Sequence, residues 1–223
     1  MTFRRISLAT TAIVLGAAVA PAQAGDRTMY FTVGGGLNLL QDQSTQRIYA
    51  TLANEALTFD PNSEIGFVLH AAVGTHVDNI LPGLELEVEA SYRQNQADGN
   101  WIRHTAFMFQ PTGAPIGDES TWAVLANAWY EMKMGNLRPY IGGGAGWGEA
   151  KIGSTSFEKT SDGFAWQIGG GVNFSISSNV SIGVGYRYFD GPSVNVTPDN
   201  ALNPLGDVDQ PSQSVTLDLT FAF

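Results

Sequence analysis

Three glutamates stand at alternate positions in one short segment, Glu85, Glu87 and Glu89. A β-strand turns successive side chains to opposite faces, so these three carboxylates would share one face. Carboxylates held together can act as a general acid and base, can line a path for cations, or can pair with buried basic groups. Catalysis is the weakest of these interpretations, because no nucleophile or substrate cleft accompanies the three residues in the sequence.

Other segments that alternate in the same way carry further charges on the matching face. The predicted network of inward-facing charges contains Glu85, Glu87, Glu89, Arg93, Glu131, Lys133, Arg138, Arg187 and Asp218. An isolated charge removed from water is very costly, so we expect these groups to pair with one another. A gated or leaky ion path through the same network is the alternative.

Histidine and cysteine usage limits metal and redox chemistry. Of the three histidines, His70 and His76 share a face but lie six residues apart, about 20 Å along a strand, too far to chelate one ion. His104 stands alone, and the absence of cysteine excludes disulfides and thiolate ligands. We therefore expect no catalytic residue, no metal site and no cofactor.

Glycine triplets occur at 34–36, 142–144 and 169–171. A phosphate-binding loop requires a strand, a glycine-rich turn and then a helix. Here the alternation continues on both sides of each triplet. The triplets therefore predict room inside a curved sheet for large inward side chains such as Tyr140 or Trp129.

The elements that carry these residues follow a period of two, which is typical of strands and not of helices. We predict eight of them, at 28–40, 64–78, 83–93, 122–134, 137–148, 163–175, 180–189 and 214–223. Their connections alternate between short turns and long loops. The four long loops are at about 41–63, 94–121, 149–162 and 190–213. This is the habit of outer-membrane barrels, whose short turns face the periplasm and whose long loops are extracellular.

Outward-facing aromatic residues gather at two heights on these strands. Phe67, Tyr92, Trp122, Trp147, Phe164, Trp166, Tyr186 and Tyr188 fall near the long loops, and Phe31, Tyr130, Phe174, Phe221 and Phe223 fall near the short turns. Aromatic girdles of this kind mark the two membrane interfaces. The predicted fold is all-β: a closed, eight-stranded, antiparallel, up-and-down transmembrane β-barrel. A soluble periplasmic barrel with an apolar interior is the alternative, and it would turn the three glutamates outward.

The first 24 residues have the pattern of a cleaved secretory signal peptide. Arg4 and Arg5 precede an apolar stretch, and Ala22 and Ala24 occupy the positions that a signal peptidase reads. Cleavage after Ala24 would change the net charge from −10 to −12 and leave the barrel at 25–223. So acidic a chain argues against binding nucleic acid.

Several short motifs suggest a family: Ala-Ser-Tyr-Arg at 90–93, Arg-Pro-Tyr-Ile-Gly-Gly-Gly at 138–144, Gly-Tyr-Arg-Tyr at 185–188, and the alternating segment 217–223. The chain resembles the small OmpA-like outer-membrane β-barrels, including the porin-like surface proteins of alphaproteobacteria. The resemblance implies contact with outer-membrane lipid and lipopolysaccharide. It also implies that the barrel-assembly machinery reads the last strand, through Leu219, Phe221 and Phe223.

The sequence favours a non-catalytic structural or surface-interaction role in the outer membrane. Loops carry function in such proteins, so host or neighbouring surface molecules are the expected partners. The second loop offers Trp101, Phe107, Met108 and Phe109 for such contacts, and the last offers Asp190, Asp199, Asp207 and Asp209. A narrow porin-like channel for ions or small solutes is the alternative, and a lipid-modifying enzyme is third.

Overall fold

A computed structural model describes residues 29–41, 56–63, 65–104, 109–111, 118–154, 157–195, 207–209 and 211–223. Twelve strands lie in these ranges: β1 (Met29–Leu40), β2 (Ala56–Ser63), β3 (Gly66–His76), β4 (Leu84–His104), β5 (Phe109–Pro111), β6 (Asp118–Glu131), β7 (Leu137–Ser154), β8 (Phe157–Ser175), β9 (Val180–Asp190), β10 (Val194–Asn195), β11 (Asp207–Val208) and β12 (Ser212–Ala222). Among the described residues, no helix is long and apolar enough to cross a membrane. The predicted signal peptide lies outside these ranges.

Eight of the strands form a closed ring in which every neighbour is antiparallel. The order around the ring is β1, β3, β4, β6, β7, β8, β9 and β12. Pairing of β12 with β1, with Phe221 opposite Phe31, closes it. Closure removes both sheet edges, so the backbone groups of these strands are satisfied without water, as a lipid environment requires. The predicted eight-stranded antiparallel barrel is confirmed.

Several strands run further toward the long loops than the sequence predicts. β4 continues from the predicted limit at Arg93 to His104, where β2 and β5 pair with it on its two sides. β7 and β8 stay paired as far as Ser154 opposite Phe157. Parts of the predicted loops 41–63, 94–121 and 149–162 are therefore strand. Beyond the lipid, polar and apolar residues no longer alternate along the strands, although the backbone hydrogen bonds between strands continue. The prediction follows the alternation alone, so it ends each strand where the alternation ends.

The outer surface of the barrel is apolar. Leu217 on β12 and Val184 on β9 lie opposite each other and are 63% and 53% exposed. The register pairs the outward aromatic residues at both ends: Tyr92 with Trp122 near the long loops, and Phe31 with Phe221 near the short turns. Such a surface is unfavourable in water and favourable in lipid.

The interior changes character along the barrel axis. Toward the long loops it holds an apolar cluster, formed by Ala123, Leu125, Ala165 and Phe189. Toward the short turns its buried residues are mostly polar or charged, with Glu89 completely buried. Two of the short turns need a left-handed residue, supplied by Gly83 at φ 85° and Gly135 at φ 70°.

Candidate functional site

The centre of the lumen is an ion pair between Glu89 on β4 and Arg187 on β9, two strands on opposite sides of the ring. The Arg187 guanidinium donates to Oε2 of Glu89. The same oxygen accepts hydrogen bonds from Nδ2 of Asn127 and Nε2 of Gln167, each at 3.1 Å. The pair thus links four strands, because Asn127 lies on β6 and Gln167 on β8.

Arg187 is shared with a second acidic partner through β12. Its Nη2 lies 3.8 Å from Oδ2 of Asp218 and 3.4 Å from Nε2 of His70. His70 in turn approaches Oδ1 of Asp218 at 3.2 Å. The guanidinium also stands 5.4 Å from the ring centroid of Trp129, within reach of a cation–π interaction. One buried base therefore serves two buried carboxylates and an indole ring.

Glu87 lies one step closer to the short turns and has a different kind of surroundings. Its Oε1 accepts hydrogen bonds from Nε1 of Trp129 at 2.7 Å and from Nδ2 of Asn127 at 2.8 Å. Its Oε2 accepts one from the Tyr30 hydroxyl at 3.2 Å. All three donors are neutral groups. They hold the carboxylate in place but do not balance its charge.

A histidine–carboxylate contact and an ion pair lie at the lumen wall near the short turns. Nε2 of His76 lies 3.0 Å from Oε1 of Glu85. Nη1 of Arg138 lies 3.1 Å from Oε1 of Glu131, whose other oxygen accepts a hydrogen bond from Asn173 at 3.0 Å. Arg138 is the more exposed member of its pair, with 23% of its side chain accessible against 2% for Glu131. This end of the interior is therefore in contact with solvent.

Arg93 lies on the opposite side of the central pair, toward the long loops. Its guanidinium is 3.7 Å from the ring centroid of Phe189 and donates to Oγ of Ser91 at 2.8 Å. Phe189 belongs to the apolar cluster with Leu125. Arg93 and this cluster fill the barrel above the central pair, and they close the described part of the lumen on the long-loop side.

Lys133 corrects the predicted network. The structure ends β6 at Glu131, and Lys133 lies outside the lumen with 59% of its side chain exposed. Its Nζ is 3.0 Å from Oδ2 of Asp78 in the turn after β3. The backbone N–H of Gly83 donates to Oδ1 of Asp78 at 2.6 Å, and this bond, with the Lys133 ammonium, lowers the pKa of Asp78. Lys133 lies two residues past the end of the strand, where the alternation no longer fixes the direction of a side chain, so the predicted inward direction of Lys133 is wrong.

A cavity of about 460 Å³ fills the short-turn half of the lumen. Its inner end is formed by Glu87, Arg187 and Asp218, and its rim by the turn 176–179 together with Asn136. The aromatic residues Tyr30, Trp129 and Tyr140 line its wall. Since Arg93 and the Phe189 cluster close the other side, this cavity is blind.

Glycines make room for the large inward side chains of this half. A Cβ built at Gly171 or Gly185 would lie 2.7 Å or 2.6 Å from the Tyr140 hydroxyl, and one at Gly142 would lie 2.7 Å from the Trp129 ring. Gly142 and Gly171 belong to two of the glycine triplets in the sequence. A Cβ at Gly142 or Gly171 would also meet a carbonyl oxygen, that of Ala128 or Val184. These glycines therefore leave room both for the backbone of a neighbouring strand and for the aromatic side chains in the lumen.

The structure adds residues that the sequence analysis did not assign to the site. Asn127, Gln167, Trp129 and Tyr30 complete the hydrogen bonds of the glutamates, and His70 joins the central cluster. Their inward direction could be read from the alternation, but their partners depend on which strands face each other across the ring. In the described ranges, no group of three His, Cys, Asp or Glu residues is placed to hold a metal ion.

Comparison with known proteins adds evidence on ancestry and fold. The model of the outer membrane protein β-barrel domain family matches residues 10–221. The neisserial surface protein A structure has a TM-score of 0.57 at 16% identity, covering 87% of this chain and 97% of that one. The structure of Ail, the attachment invasion locus protein of Yersinia pestis, has a TM-score of 0.43 at 16% identity, and the match covers 88% of this chain and 99% of Ail. The structure of the Escherichia coli outer membrane protease OmpT has a TM-score of 0.47 at 10% identity, and the match covers 88% of this chain and 97% of OmpT. No curated protein sequence matches the chain.

Proposed function

Because this chain belongs to the outer membrane protein β-barrel domain family, we propose that it is a non-catalytic barrel with a structural or surface-interaction role. Its location is the bacterial outer membrane. Short turns of such barrels face the periplasm and long loops face outward.

The observation that carries the proposal is the extension of the sheet beyond the outer aromatic residues. β4 runs twelve residues past Tyr92, to His104, which corresponds to about 40 Å along the strand. β7 and β8 extend from the paired Trp147 and Phe164 to Ser154 and Phe157, about 20 Å by the same rise. A strand needs only about 9–11 residues to cross a bilayer. The remainder continues the sheet outside the lipid, where it is available for contacts with lipopolysaccharide or with neighbouring or host surface molecules.

Shortening this surface tests the proposal. Cells would express either the full chain or a variant in which residues 97–116 are replaced by a short Gly-Ser turn. We expect both to give a heat-modifiable band in outer-membrane fractions, and we expect only the full chain to increase cell adhesion and cell–cell sedimentation. Equal adhesion by the two strains would contradict a surface-interaction role. A variant with scrambled residues 97–116 controls for length.

A narrow channel is the second candidate, and the polar cavity on the short-turn side favours it. Passage through the lumen would require the Glu89–Arg187 pair and the Phe189 cluster to move, because both lie across the path. In planar bilayers we expect no steady single-channel conductance from the folded protein. A steady conductance that disappears when Arg138 or Arg187 is neutralised would favour the channel instead.

A lipid-modifying enzyme is the third candidate. Activation of a nucleophile requires a base within hydrogen-bond reach of it. In the described lumen the carboxylates that could act as such a base are engaged in ion pairs and hydrogen bonds. Incubation of the folded protein with labelled lipopolysaccharide is expected to leave the lipid unchanged. Release of labelled acyl chains or phosphate would contradict the non-catalytic proposal.

A further inference from the structure

The blind cavity on the short-turn side carries more negative than positive charge. Four acidic side chains line it, Glu85, Glu87, Glu131 and Asp218, against two guanidinium groups, Arg138 and Arg187, and the imidazole of His76. Arg138 is occupied by Glu131, and Arg187 is divided between Asp218 and the deeper Glu89. Glu85 has His76 as its partner. The described hydrogen bonds to Glu87 all come from neutral groups.

Glu87 is held ready for a cation. Only 9% of it is exposed, and three donors from Trp129, Asn127 and Tyr30 fix both of its oxygens. A carboxylate that is largely removed from water is costly. The Arg187 guanidinium offsets only part of this cost, because it is paired with Glu89 and Asp218. A charge-assisted hydrogen bond from an ammonium group would relieve the remainder. Oε1 already accepts two hydrogen bonds, whereas Oε2 accepts one, from the Tyr30 hydroxyl, so Oε2 is the oxygen that would accept a hydrogen bond from the ammonium group.

The remaining walls select the chemical class of the ligand. Tyr30, Trp129 and Tyr140 line the cavity around Glu87, and aromatic faces attract organic cations. The volume of about 460 Å³ falls in the range of small-molecule sites, roughly 300–1,000 Å³. A bare metal ion fits less well, because the described residues contain no group of three acidic or histidine ligands placed for one.

We propose that this cavity binds a small organic cation that carries a primary ammonium group and enters from the short-turn side. The ammonium group donates hydrogen bonds to Glu87, and the alkyl part packs against Trp129 and Tyr140. Since the long-loop side is closed by Arg93 and Phe189, the ligand leaves by the way it came. The cavity is then a binding site open to the periplasm and not a section of a pore.

The test uses butane-1,4-diammonium as the probe and the full barrel folded in detergent micelles. The indole N–H of Trp129 donates to Glu87, so its proton resonance reports directly on the site, and Trp129→Phe assigns it. We expect a saturable shift of this resonance and saturable heat by calorimetry. Butane-1,4-diol, which matches the probe without its charge, is expected to give neither. Equal responses to the diol, or no saturable response to the diammonium, would overturn the proposal.

Matched variants separate the site from general electrostatics. Glu87→Gln keeps an acceptor for the neutral donors but removes the charge, and we expect at least about tenfold weaker binding. Glu149→Gln removes a carboxylate at the far end of the barrel, where Glu149 contacts Trp122 and Lys151, and is expected to bind like the parent protein. Equal weakening by both variants would show that net charge alone attracts the probe and would overturn the site.

A second pair of variants leaves the interior untouched in case Glu87→Gln fails to fold. Ser177 is exposed on the rim of the cavity. Ser177→Lys is expected to weaken binding several-fold, and Ser177→Glu to strengthen it. Identical affinities for the two would mean that the probe does not enter past this rim.

O-phosphorylethanolamine has the same ammonium group on a phosphate, as in a lipid headgroup. Tighter binding of it than of the diammonium would overturn the assignment to a free amine.

Discussion

Glu89 and Arg187 are each almost fully removed from solvent, with side-chain exposures of 0% and 7%. Burying two charges costs free energy that their mutual attraction repays only with good geometry and further hydrogen bonds. Asn127 and Gln167 supply such bonds to Glu89. We therefore infer that this pair mainly fixes which strands face each other across the ring, and that its net contribution to stability is small.

Removing one member of the pair is expected to cost more than removing both. Arg187→Met leaves Glu89 buried without its base, so we expect a loss of about 3–5 kcal/mol in the free energy of unfolding. The double variant Arg187→Met with Glu89→Leu is expected to be closer to the parent protein. Urea unfolding in lipid vesicles measures both. Lys151→Met, which breaks the exposed pair with Glu149, is the control, and an equal loss there would contradict the assignment.

Asp78 makes the turn after β3 sensitive to acid. Its folded pKa lies below its ordinary value of 3.8, so its contribution to stability is complete above that value and is lost as the pH falls through the folded pKa. We expect the Gly83 amide proton resonance to titrate with a midpoint below 3.8. Lys133→Ala should move the midpoint up, and Asp78→Asn should abolish it. A midpoint unchanged by Lys133→Ala would contradict the ion pair in solution.

At the scale of elements, the size of the inward-facing side chains determines how the strands pack around the lumen. β7, β8 and β9 meet where Tyr140 crosses toward Gly171 and Gly185. A side chain at either glycine would compete with the Tyr140 hydroxyl for the same space. The lumen on this side is therefore set by one aromatic residue and the glycines that face it.

Gly185→Ala tests this packing. The added Cβ would lie 2.6 Å from the Tyr140 hydroxyl oxygen and 3.0 Å from Oγ1 of Thr216, so we expect a loss of about 1–3 kcal/mol from overpacking. Adding Tyr140→Phe removes the hydroxyl and should recover much of the loss. Gly163→Ala is the control, because its Cβ would meet only Pro192 at an ordinary 3.5 Å. Failure of Tyr140→Phe to rescue would show that the clash is elsewhere.

At the scale of the whole molecule, the outer face of the barrel is apolar, and the ion pairs Glu89–Arg187 and Glu131–Arg138 lie inside. Leu217→Arg puts a charge on the outer face, midway between the two aromatic rows, and is expected to destabilise the barrel by about 2–4 kcal/mol. Unfolding in lipid vesicles and the heat-modifiable band measure the loss. Gln96→Arg, at an exposed position of β4 past the outer aromatic residues, should be tolerated. If both changes were tolerated, the outer face would not be in contact with lipid.

Assembly in the cell gives a further prediction at this scale. Phe223 is 40% exposed and its backbone N–H donates to Met29 at 2.9 Å. From the family resemblance we propose that Phe223, with Leu219 and Phe221, forms the signal that the barrel-assembly machinery reads. Deletion of Phe223 is expected to lower the amount of barrel in the outer membrane several-fold, while refolding from urea into detergent micelles changes little. Equal losses in the two assays would mean that Phe223 acts through stability alone.

The sequence by itself determined the strands that cross the lipid, their number, and the face that each side chain takes. A period of two is a local property, so Glu85, Glu87 and Glu89 could be assigned to the interior without knowledge of any other strand. Where the strand itself ended, this reasoning failed, as it did for Lys133. It also stopped short of the extension of β4 to His104, because that extension depends on pairing with β2 and β5.

Only the tertiary structure decided which interior groups are partners. Glu89 and Arg187 are separated by 98 positions in the chain, and their contact depends on ring closure and on the stagger between strands. The same stagger puts the Phe189 cluster on one side and the open cavity on the other. These are properties of the closed ring, in which each strand's height is fixed by both neighbours, so no single segment of the sequence contains them.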